Sequence, residues 1–444
     1  MCSGVTATAS LETQFSDHLD VLERRFSRAL EVCGFDKLVI FSGSELFVAR
    51  DDETYPFRVE PYFAQWLPLT RHPGCALVVA PGERPRLLFR RCEDFWRETP
   101  EPPTGDWTRY FEIEIVEDLG RSIGSTQFGR GRLAAIGDPG ATAELFAAVD
   151  DLRLLRRLDY ERAVKTDYEV ECIARSSAIA VRGHCAVADA FRQGASEFTL
   201  NQVYCAATCQ RETQLPYVNI IALNEHAAVL HYQNLRSAKP DTLRSFLIDA
   251  GARFHGYASD ITRTYAHDDG DFAELVARLE MLQQAICSEV ASGKDFVNLN
   301  DRAHQLLAAV MSEHGILECS ADAAYESGLT RTFLPHGLGH LLGLQVHDAG
   351  GRQISPDGEV RDPPETDPNL RLTRVLEAGF VLTIEPGIYF IPSLLDALPG
   401  TLSKLLNSER IARLLPFGGI RIEDNLRVES AGSENLTRAA FAAA

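Results

Sequence analysis

The chain has 444 residues, 45% hydrophobic and 24% charged, the balance of a folded globular protein rather than a disordered one. Asp and Glu number 63 against 44 Lys and Arg, a formal net charge of −19. A field of that sign repels nucleic acid and anionic membrane surfaces, and no Lys/Arg-rich run offsets it locally.

No stretch approaches the roughly 18 apolar residues of a spanning helix. The opening MCSGVTATASLETQ lacks the basic and apolar regions of a signal peptide. The ten cysteines are scattered, without a C-x-x-C pair, and Cys205 and Cys209 stand alone. That usage predicts reduced thiols in a cytoplasmic protein, not a disulfide framework or a zinc-thiolate site.

The length allows two to four domains at about 100–200 residues each. Phe15, Leu19, Leu22, Phe26, Leu30 and Cys33 recur at helical spacing and predict a helix over Leu11–Cys33. Lys37–Phe41, Ala76–Ala80, Arg86–Arg90, Phe111–Val116 and Leu133–Ile136 read as strands, and Ala141–Leu155 as a helix. Arg153–Lys165 is charge-rich and reads as a bridge, which places a domain boundary near residue 160. Thr166 and Glu169 form a capping-box pattern before a helix running toward Phe191, and Thr199–Gln202 repeats the pattern. Strands are expected at Ser245–Ala252, Tyr257–Tyr265, Val381–Tyr389 and Gly419–Val428. The fold class is therefore α/β (α+β), with a small α/β domain at 1–160 and a larger one at 161–444.

Four motifs carry chemistry. In FLIDAGARFHGYASDITRTY, Asp249 and Asp260 lie in two strand-like runs joined around His255-Gly256. A regular hairpin centred between Phe254 and His255 sets the two carboxylates directly opposite each other, about 4.5–5.5 Å apart at Cβ. Like charges that close require a cation or a retained proton. In PHGLGHLLGLQVHD, three of the twelve histidines crowd together, His336, His340 and His347. Its glycines break any regular helix and let backbone approach a ligand, and their spacing matches neither a phosphate loop nor a dinucleotide fingerprint. In FVLTIEPGIYF, Glu385 interrupts an apolar run just before Pro386, where it needs a partner. In GGIRIEDNLRV, Arg421 and Glu423 share one strand face, which in isolation reads as the solvent side of an amphipathic strand.

Together these segments offer Asp, Asp, His, Glu and Glu, a donor set suited to hard or borderline divalent ions such as Mn²⁺, Co²⁺ or Zn²⁺. Four carboxylates and two divalent ions balance in charge, and a metal pair can generate hydroxide at neutral pH.

The order Asp249, Asp260, His340, Glu385, Glu423, with its flanking motifs, resembles the pita-bread metallopeptidases, closest to bacterial-type prolidases (Xaa-Pro dipeptidases) of peptidase family M24B. DDETYPF at 51–57, PYVNIIALNEHAAVLHYQ at 216–233 and PFGGIRIEDN at 416–425 extend the likeness over essentially the whole chain. Leu341-Leu342 after His340 departs from the His-Pro-Leu frequent in that family without touching a ligand. The resemblance implies a pita-bread catalytic domain and an N-terminal domain engaged in dimerisation and pocket closure. It implies two metal ions per subunit, usually Mn²⁺, held by the five ligands, with Asp260 and Glu423 bridging. His336 and His347 would bind substrate or the tetrahedral intermediate, and Glu385 would shuttle a proton. Tyr217 and His231 would line the pocket. Arg421 would hold the substrate carboxylate or fix Glu423. Asp52, or its neighbour Asp51, is the candidate acidic group supplied by a second copy's N-terminal domain. The implied activity is hydrolysis of dipeptides with C-terminal proline by a homodimer, with organophosphate triester hydrolysis as a side activity. An Xaa-Pro aminopeptidase of longer peptides and a non-catalytic pita-bread scaffold are the alternatives.

Overall fold

The computed structural model describes residues 10–124 and 131–444. The signal-peptide reading rests largely on residues 1–9, outside that range. The chain divides into two compact units. One takes the residues up to Arg162 with Thr166–Glu171 and Ser355–Glu359; the other takes Ala163–Lys165, Cys172–Ile354 and Val360–Ala444.

In the N-terminal unit, α1 (Leu11–Cys33) starts at Ser10, whose hydroxyl accepts from the Thr13 amide, and stops at Gly34 in the left-handed region. Its buried face includes His18, which displaces Leu19 to a half-buried position. The His18 ring is held by Thr166 Oγ1 at 2.8 Å and the Gln65 carbonyl at 2.7 Å, so the apolar stripe closes over a satisfied imidazole. Six strands follow: β1 (Lys37–Phe41), β2 (Ala76–Val79), β3 (Arg86–Arg90), β4 (Glu112–Val116), β5 (Leu133–Ile136) and β6 (Ala148–Val149). They form one mixed sheet in the order β4-β3-β2-β1-β5-β6.

The helix expected over Ala141–Leu155 does not form. A 3-10 turn (Gly140–Leu145) and β6 occupy its first part, and α2 (Leu152–Arg162) covers its end and most of the stretch read as a bridge. Asp150 adopts φ +49° and accepts from the Gly137 amide. Asp151 accepts from the Arg153 and Leu154 amides, both at 3.0 Å. The acid pair is thus a turn and helix cap, not helix interior.

The second unit opens with α3 (Asp167–Arg192), whose first turn is grouped with the N-terminal unit. Thr166 caps it reciprocally with Glu169, as the pattern predicts. The next helix, α4 (Glu197–Thr208), begins before the expected Thr199, because Ser196 is the cap. Later come α5 (Asp271–Glu289) and α6 (Phe296–Glu313). Leu275, Leu279, Leu282 and Ile286 of α5 bury a stripe in one cluster with Phe296, Leu299, Ala303 and Leu307 of α6. Leu382, Ile384, Ile388, Ile420 and Leu426 from the strands complete that cluster.

Every long strand expected here is broken next to a candidate ligand. β7 (Ile220–Leu223) pairs with β8 (Ser245–Asp249), which stops at Asp249. After a short β9 (Arg253–Phe254), the second run splits into β10 (Tyr257–Ala258) and β11 (Thr262–Ala266), with Asp260 in the gap between them. The third splits into β12 (Val381–Ile384) and β13 (Gly387–Tyr389) around Glu385-Pro386. The fourth splits into β14 (Gly419–Arg421) and β15 (Asp424–Val428) around Ile422-Glu423, and β16 (Ser433–Asn435) pairs with β15.

Register corrects one expectation and supplies a pairing that was missed. Asp249 lies opposite Thr262, not Asp260. The hairpin turns on His255 and Gly256 themselves, at φ +50° and +91°, a two-residue loop of the kind both-positive φ angles make. The ladder is therefore shifted by one step, and Asp260 is a diagonal neighbour of Asp249 on the same face. The directly opposed acids are Glu385 and Glu423. Ile384 pairs with Asp424 and Gly387 with Arg421, so one register runs through the gap and puts Glu385 across from Glu423. Pro386 has no amide hydrogen to give, and only the Ile422 amide bonds across, to the Pro386 carbonyl at 3.3 Å.

Among the described residues, no helix is long and apolar enough to cross a membrane, and every cysteine is a free thiol.

Candidate metal centre

The broken strands of the second unit deliver their acids to one place. A ligand atom from each of Asp260, His340 and Glu423 lies within 4.8 Å of the other two, and all three residues are buried. Tyr217 Oη stands 2.7 Å from Asp249 Oδ1 and 2.5 Å from Asp260 Oδ1, so one phenolic proton serves two carboxylates. His340 Nε2 lies 3.4 Å from Asp260 Oδ2 and 3.5 Å from Glu385 Oε1. Its Nδ1 faces the Leu341 carbonyl at 3.0 Å, which fixes the hydrogen on Nδ1 and leaves the Nε2 lone pair for a ligand role.

The glycine-rich segment makes that placement. His340 and Thr383 bond through backbone at 2.9 Å, Leu342 to Val381 likewise at 2.9 Å, and Thr383 Oγ1 accepts from the His340 amide. A Cβ at Gly339 would sit 2.0 Å from the Thr383 carbonyl oxygen, so only glycine lets the loop lie along β12.

Four carboxylates share this buried space, and their proton affinities show the strain. Burial, reinforced by Asp260, Glu385 and Asp249, pushes Glu423 far above the ordinary range. Burial raises Glu385 to about 7 against the pull of His340. Asp249 also rises through burial, opposed by Arg421. Asp260 resists burial and ends lowered because His340 and Tyr217 bond to it. His340 resists burial too and is raised by Asp260 and Glu385. A buried oxygen-rich pocket with excess negative charge and one available imidazole fits divalent cations.

Arg421 and Glu423 are both buried, which removes the solvent-face reading of their strand. The Arg421 guanidinium is engaged on three sides. Nη2 donates to Asp249 Oδ2 at 2.6 Å, Nη1 to Tyr389 Oη at 2.8 Å and Nε to Thr262 Oγ1 at 3.1 Å. It therefore fixes Asp249 rather than Glu423. The carboxylate of Glu423 is fixed by Thr262, whose Oγ1 donates to Oε2 at 2.6 Å. Tyr389 Oη lies 2.8 Å from His336 Nε2, and His336 Nδ1 faces the Gly337 carbonyl at 2.9 Å. Burial and Arg421 lower His336 to about 3, so it is neutral. The His347 ring stands edge-on to His340 at 4.4 Å and is otherwise exposed. Partial cover, His340 and Arg371 lower it to about 4.

His231 is exposed, and its imidazole acts electrostatically on both His336 and His347. Asp52 belongs to the N-terminal unit, in an exposed turn where Asp51 Oδ1 accepts the Asp52 amide. The sequence reading missed Thr262, Tyr389 and Arg371. Thr262 and Tyr389 lie inside quoted motifs, but nothing in the spacing marks them.

A model of metallopeptidase family M24 matches residues 171–430, the span that holds all five candidate donors. The chain belongs to metallopeptidase family M24. A second model, described as the Xaa-Pro dipeptidase N-terminal domain, matches residues 13–160. The chain is 44% identical over 434 residues to an Xaa-Pro dipeptidase of Stenotrophomonas maltophilia, with 97% of this chain and 98% of that one covered. It is 45% identical over 437 residues to an Xaa-Pro dipeptidase of Xanthomonas axonopodis pv. citri, with 98% and 99% covered. Among solved structures, aminopeptidase P of Escherichia coli with the inhibitor Pro-Leu superposes with a TM-score of 0.71 at 21% identity, over 96% of this chain and 98% of that one. Aminopeptidase PepP of Pseudomonas aeruginosa does so with a TM-score of 0.72 at 20% identity, over 97% and 98%. These likenesses show the fold: an N-terminal α/β domain followed by the M24 pita-bread domain.

Behind the candidate donors lies a paired layer. Asp424 accepts from Arg263 Nη2 at 2.7 Å, Arg438 Nε at 2.7 Å and Asn435 Nδ2 at 2.9 Å. Asn425 Oδ1 holds the Asp260 amide at 3.1 Å, while its own amide and side chain donate to Thr437 Oγ1, both at 2.9 Å. The C-terminal helix (Leu436–Ala442) thus reaches Asp260 through Thr437 and Asn425, and holds Asp424 through Arg438.

Proposed function

We propose that this chain is a metal-dependent Xaa-Pro dipeptidase. The observation that carries the reading is the buried, negatively unbalanced donor set in a chain 44–45% identical, nearly end to end, to Xaa-Pro dipeptidases. Asp249, Asp260, His340, Glu385 and Glu423 would hold two divalent ions, Mn²⁺ by preference with Co²⁺ or Zn²⁺ as substitutes. When bound, these ions supply the Lewis acidity that activates water and polarises a carbonyl.

The chain's own residues do the rest. Arg421 and Tyr217 orient Asp249, and Thr262 orients Glu423. Glu385, whose Oε2 lies 3.7 Å from His336 Nδ1 at the edge of the donor set, can pass a proton to the imide nitrogen of the leaving proline. His347, exposed beside His340, can donate to the oxyanion. His336 shares its Nε2 with Tyr389, so its part is to carry the Arg421–Tyr389 chain to the pocket wall. The substrate carboxylate requires cations that the protein has not already used. Arg421 is committed to Asp249, which directs that role to His231 and to Arg371, exposed and acting on His347. Proline suits such an enzyme because its tertiary nitrogen offers no N–H for a general peptidase to read.

The boundary near residue 160, dimerisation through the N-terminal domain, Asp52 as the acidic group from a second copy, and a cytoplasmic location belong to the same proposal. The resemblance to bacterial-type prolidases supports them.

Chelator treatment should abolish hydrolysis of Ala-Pro, and Mn²⁺ should restore it. Full activity in the metal-free protein would overturn the reading. Equal rates on Gly-Pro and on a longer Gly-Pro peptide would instead favour an Xaa-Pro aminopeptidase.

A further inference from the structure

Glu197 is the first residue of α4, it is 1% exposed, and nothing above gives it a role. Its carboxylate receives four donors from one segment. The Leu223 amide reaches Oε1 at 3.0 Å, and His226 Nδ1 reaches the same oxygen at 2.6 Å. Tyr232 Oη reaches Oε2 at 2.7 Å, and the Arg236 amide reaches it at 2.9 Å. These donors stand at the entry, the middle and the exit of the segment 223–236. The His226 and Tyr232 rings stack on each other, 4.6 Å apart and 16° from parallel. The Phe198 amide returns a bond to the Arg236 carbonyl at 3.1 Å. A buried carboxylate with every acceptor direction filled fixes the geometry of what binds it.

The segment so fixed carries His231, next to Tyr232. His231 is itself exposed and acts electrostatically on His336 and His347. We infer that Glu197 is the positioning residue for His231: it clamps the 223–236 segment so that His231 faces the substrate carboxylate. This also accounts for His226 and Tyr232 in the LNEHAAVLHY motif, which the metal site leaves unused. The inference rests on the reading of His231 as a substrate-binding residue.

A double-mutant cycle on the Mn²⁺-loaded enzyme tests it. Glu197→Gln keeps the size but leaves two of the four donors without an acceptor. Tyr232→Phe removes a single bond and carries the test if Glu197→Gln does not fold. Either variant should raise KM for Ala-Pro about tenfold, hold kcat within about twofold and leave the bound metal unchanged. In a His231→Ala background the same change should add nothing further to KM. Hydrogen exchange across 223–236 should quicken in Tyr232→Phe. Additive KM effects, a loss of kcat together with metal, or unchanged exchange would each overturn the inference. A wild type that cleaves no Xaa-Pro dipeptide would sink the functional reading and this inference with it, whereas an active wild type with additive variants sinks the inference alone.

Discussion

Glu423 and Asp424 are neighbours in the chain, 1% and 0% exposed, and they meet opposite surroundings. Asp424 turns toward Arg263, Arg438 and Asn435, and those partners outweigh burial and hold its carboxyl below the ordinary range. Glu423 turns toward Asp249, Asp260 and Glu385, takes one hydroxyl bond from Thr262, and is driven far above it. Burial is the same on both sides of the strand, so burial alone does not mark a site. What separates the two faces is whether the protein supplies the countercharge. On the Asp424 side it does. On the Glu423 side, among the described residues, Arg421 is the one arginine whose side chain bonds these carboxylates, through Asp249, and the remaining charge is left to bound cations or retained protons.

Exchanging charge for neutrality on each side should break the symmetry in opposite ways. Glu423→Gln removes a repelled charge and a metal donor. Hydrolysis of Ala-Pro should fall by at least about a thousandfold and metal content should drop, while the metal-free protein keeps or gains stability in urea unfolding. Asp424→Asn leaves Arg263 buried without its carboxylate, while Arg438 keeps Glu280, so stability should fall by about 3–5 kcal/mol, with both metal equivalents still bound in the fraction that folds. If Asp424→Asn lost metal without losing stability, the distinction between the two faces would be wrong.

A paired carboxylate elsewhere in the catalytic unit sharpens the contrast through pH. Asp367 accepts two bonds from Arg331, at 3.0 and 2.9 Å, and one from Thr366, and lies 3.2 Å from His304 Nε2. Burial raises its proton affinity, and these partners more than reverse that, holding it below the ordinary range. A lowered folded value means that the unfolded chain binds the proton first. The stabilisation is therefore complete above the ordinary aspartate value of about 3.9 and is lost as pH falls through the folded value. Asp367→Asn should cost about 2 kcal/mol at neutral pH, and the gap to wild type should close in urea unfolding below about pH 4. A gap that stays constant down to pH 3 would mean the pairing contributes through shape rather than charge.

How much of this was legible in the sequence follows the same division. Asp249, Asp260, Glu385 and the three crowded histidines stood out as candidates because each is a polar group set among apolar or glycine-rich neighbours, whereas Glu423 alone read as a solvent-side residue and joined them through the family resemblance. The helix over Leu11–Cys33 and the Thr166 cap were legible because they rest on local spacing. Register was not. A one-residue change in where the His255-Gly256 turn is centred moves Asp260 from beside Asp249 to its diagonal, and only the ladder shows Glu385 facing Glu423. The hidden partners were those whose side chains act across distant sequence, such as Thr262 to Glu423, Arg421 to Asp249 and Glu197 to 223–236. Their residue types are ordinary in strands and helices, so nothing local marks them.

The smallest expected effect tests how far the paired layer reaches into the unpaired one. Thr437 Oγ1 accepts both the amide and the side-chain nitrogen of Asn425, and Asn425 Oδ1 in turn holds the Asp260 amide. Thr437→Val keeps the shape and removes that acceptor from a residue that is 0% exposed. Stability should fall by about 1–2 kcal/mol, the cost of leaving buried donors unmet. If Asn425 then shifts, Asp260 moves with it, and metal affinity measured by calorimetry should weaken about tenfold while the number of bound ions stays the same. A Thr437→Ser variant keeps the oxygen and should recover the affinity. Equal weakening in Val and Ser would show that the methyl group's packing, rather than the hydrogen-bond chain, ties the C-terminal helix to the donor set.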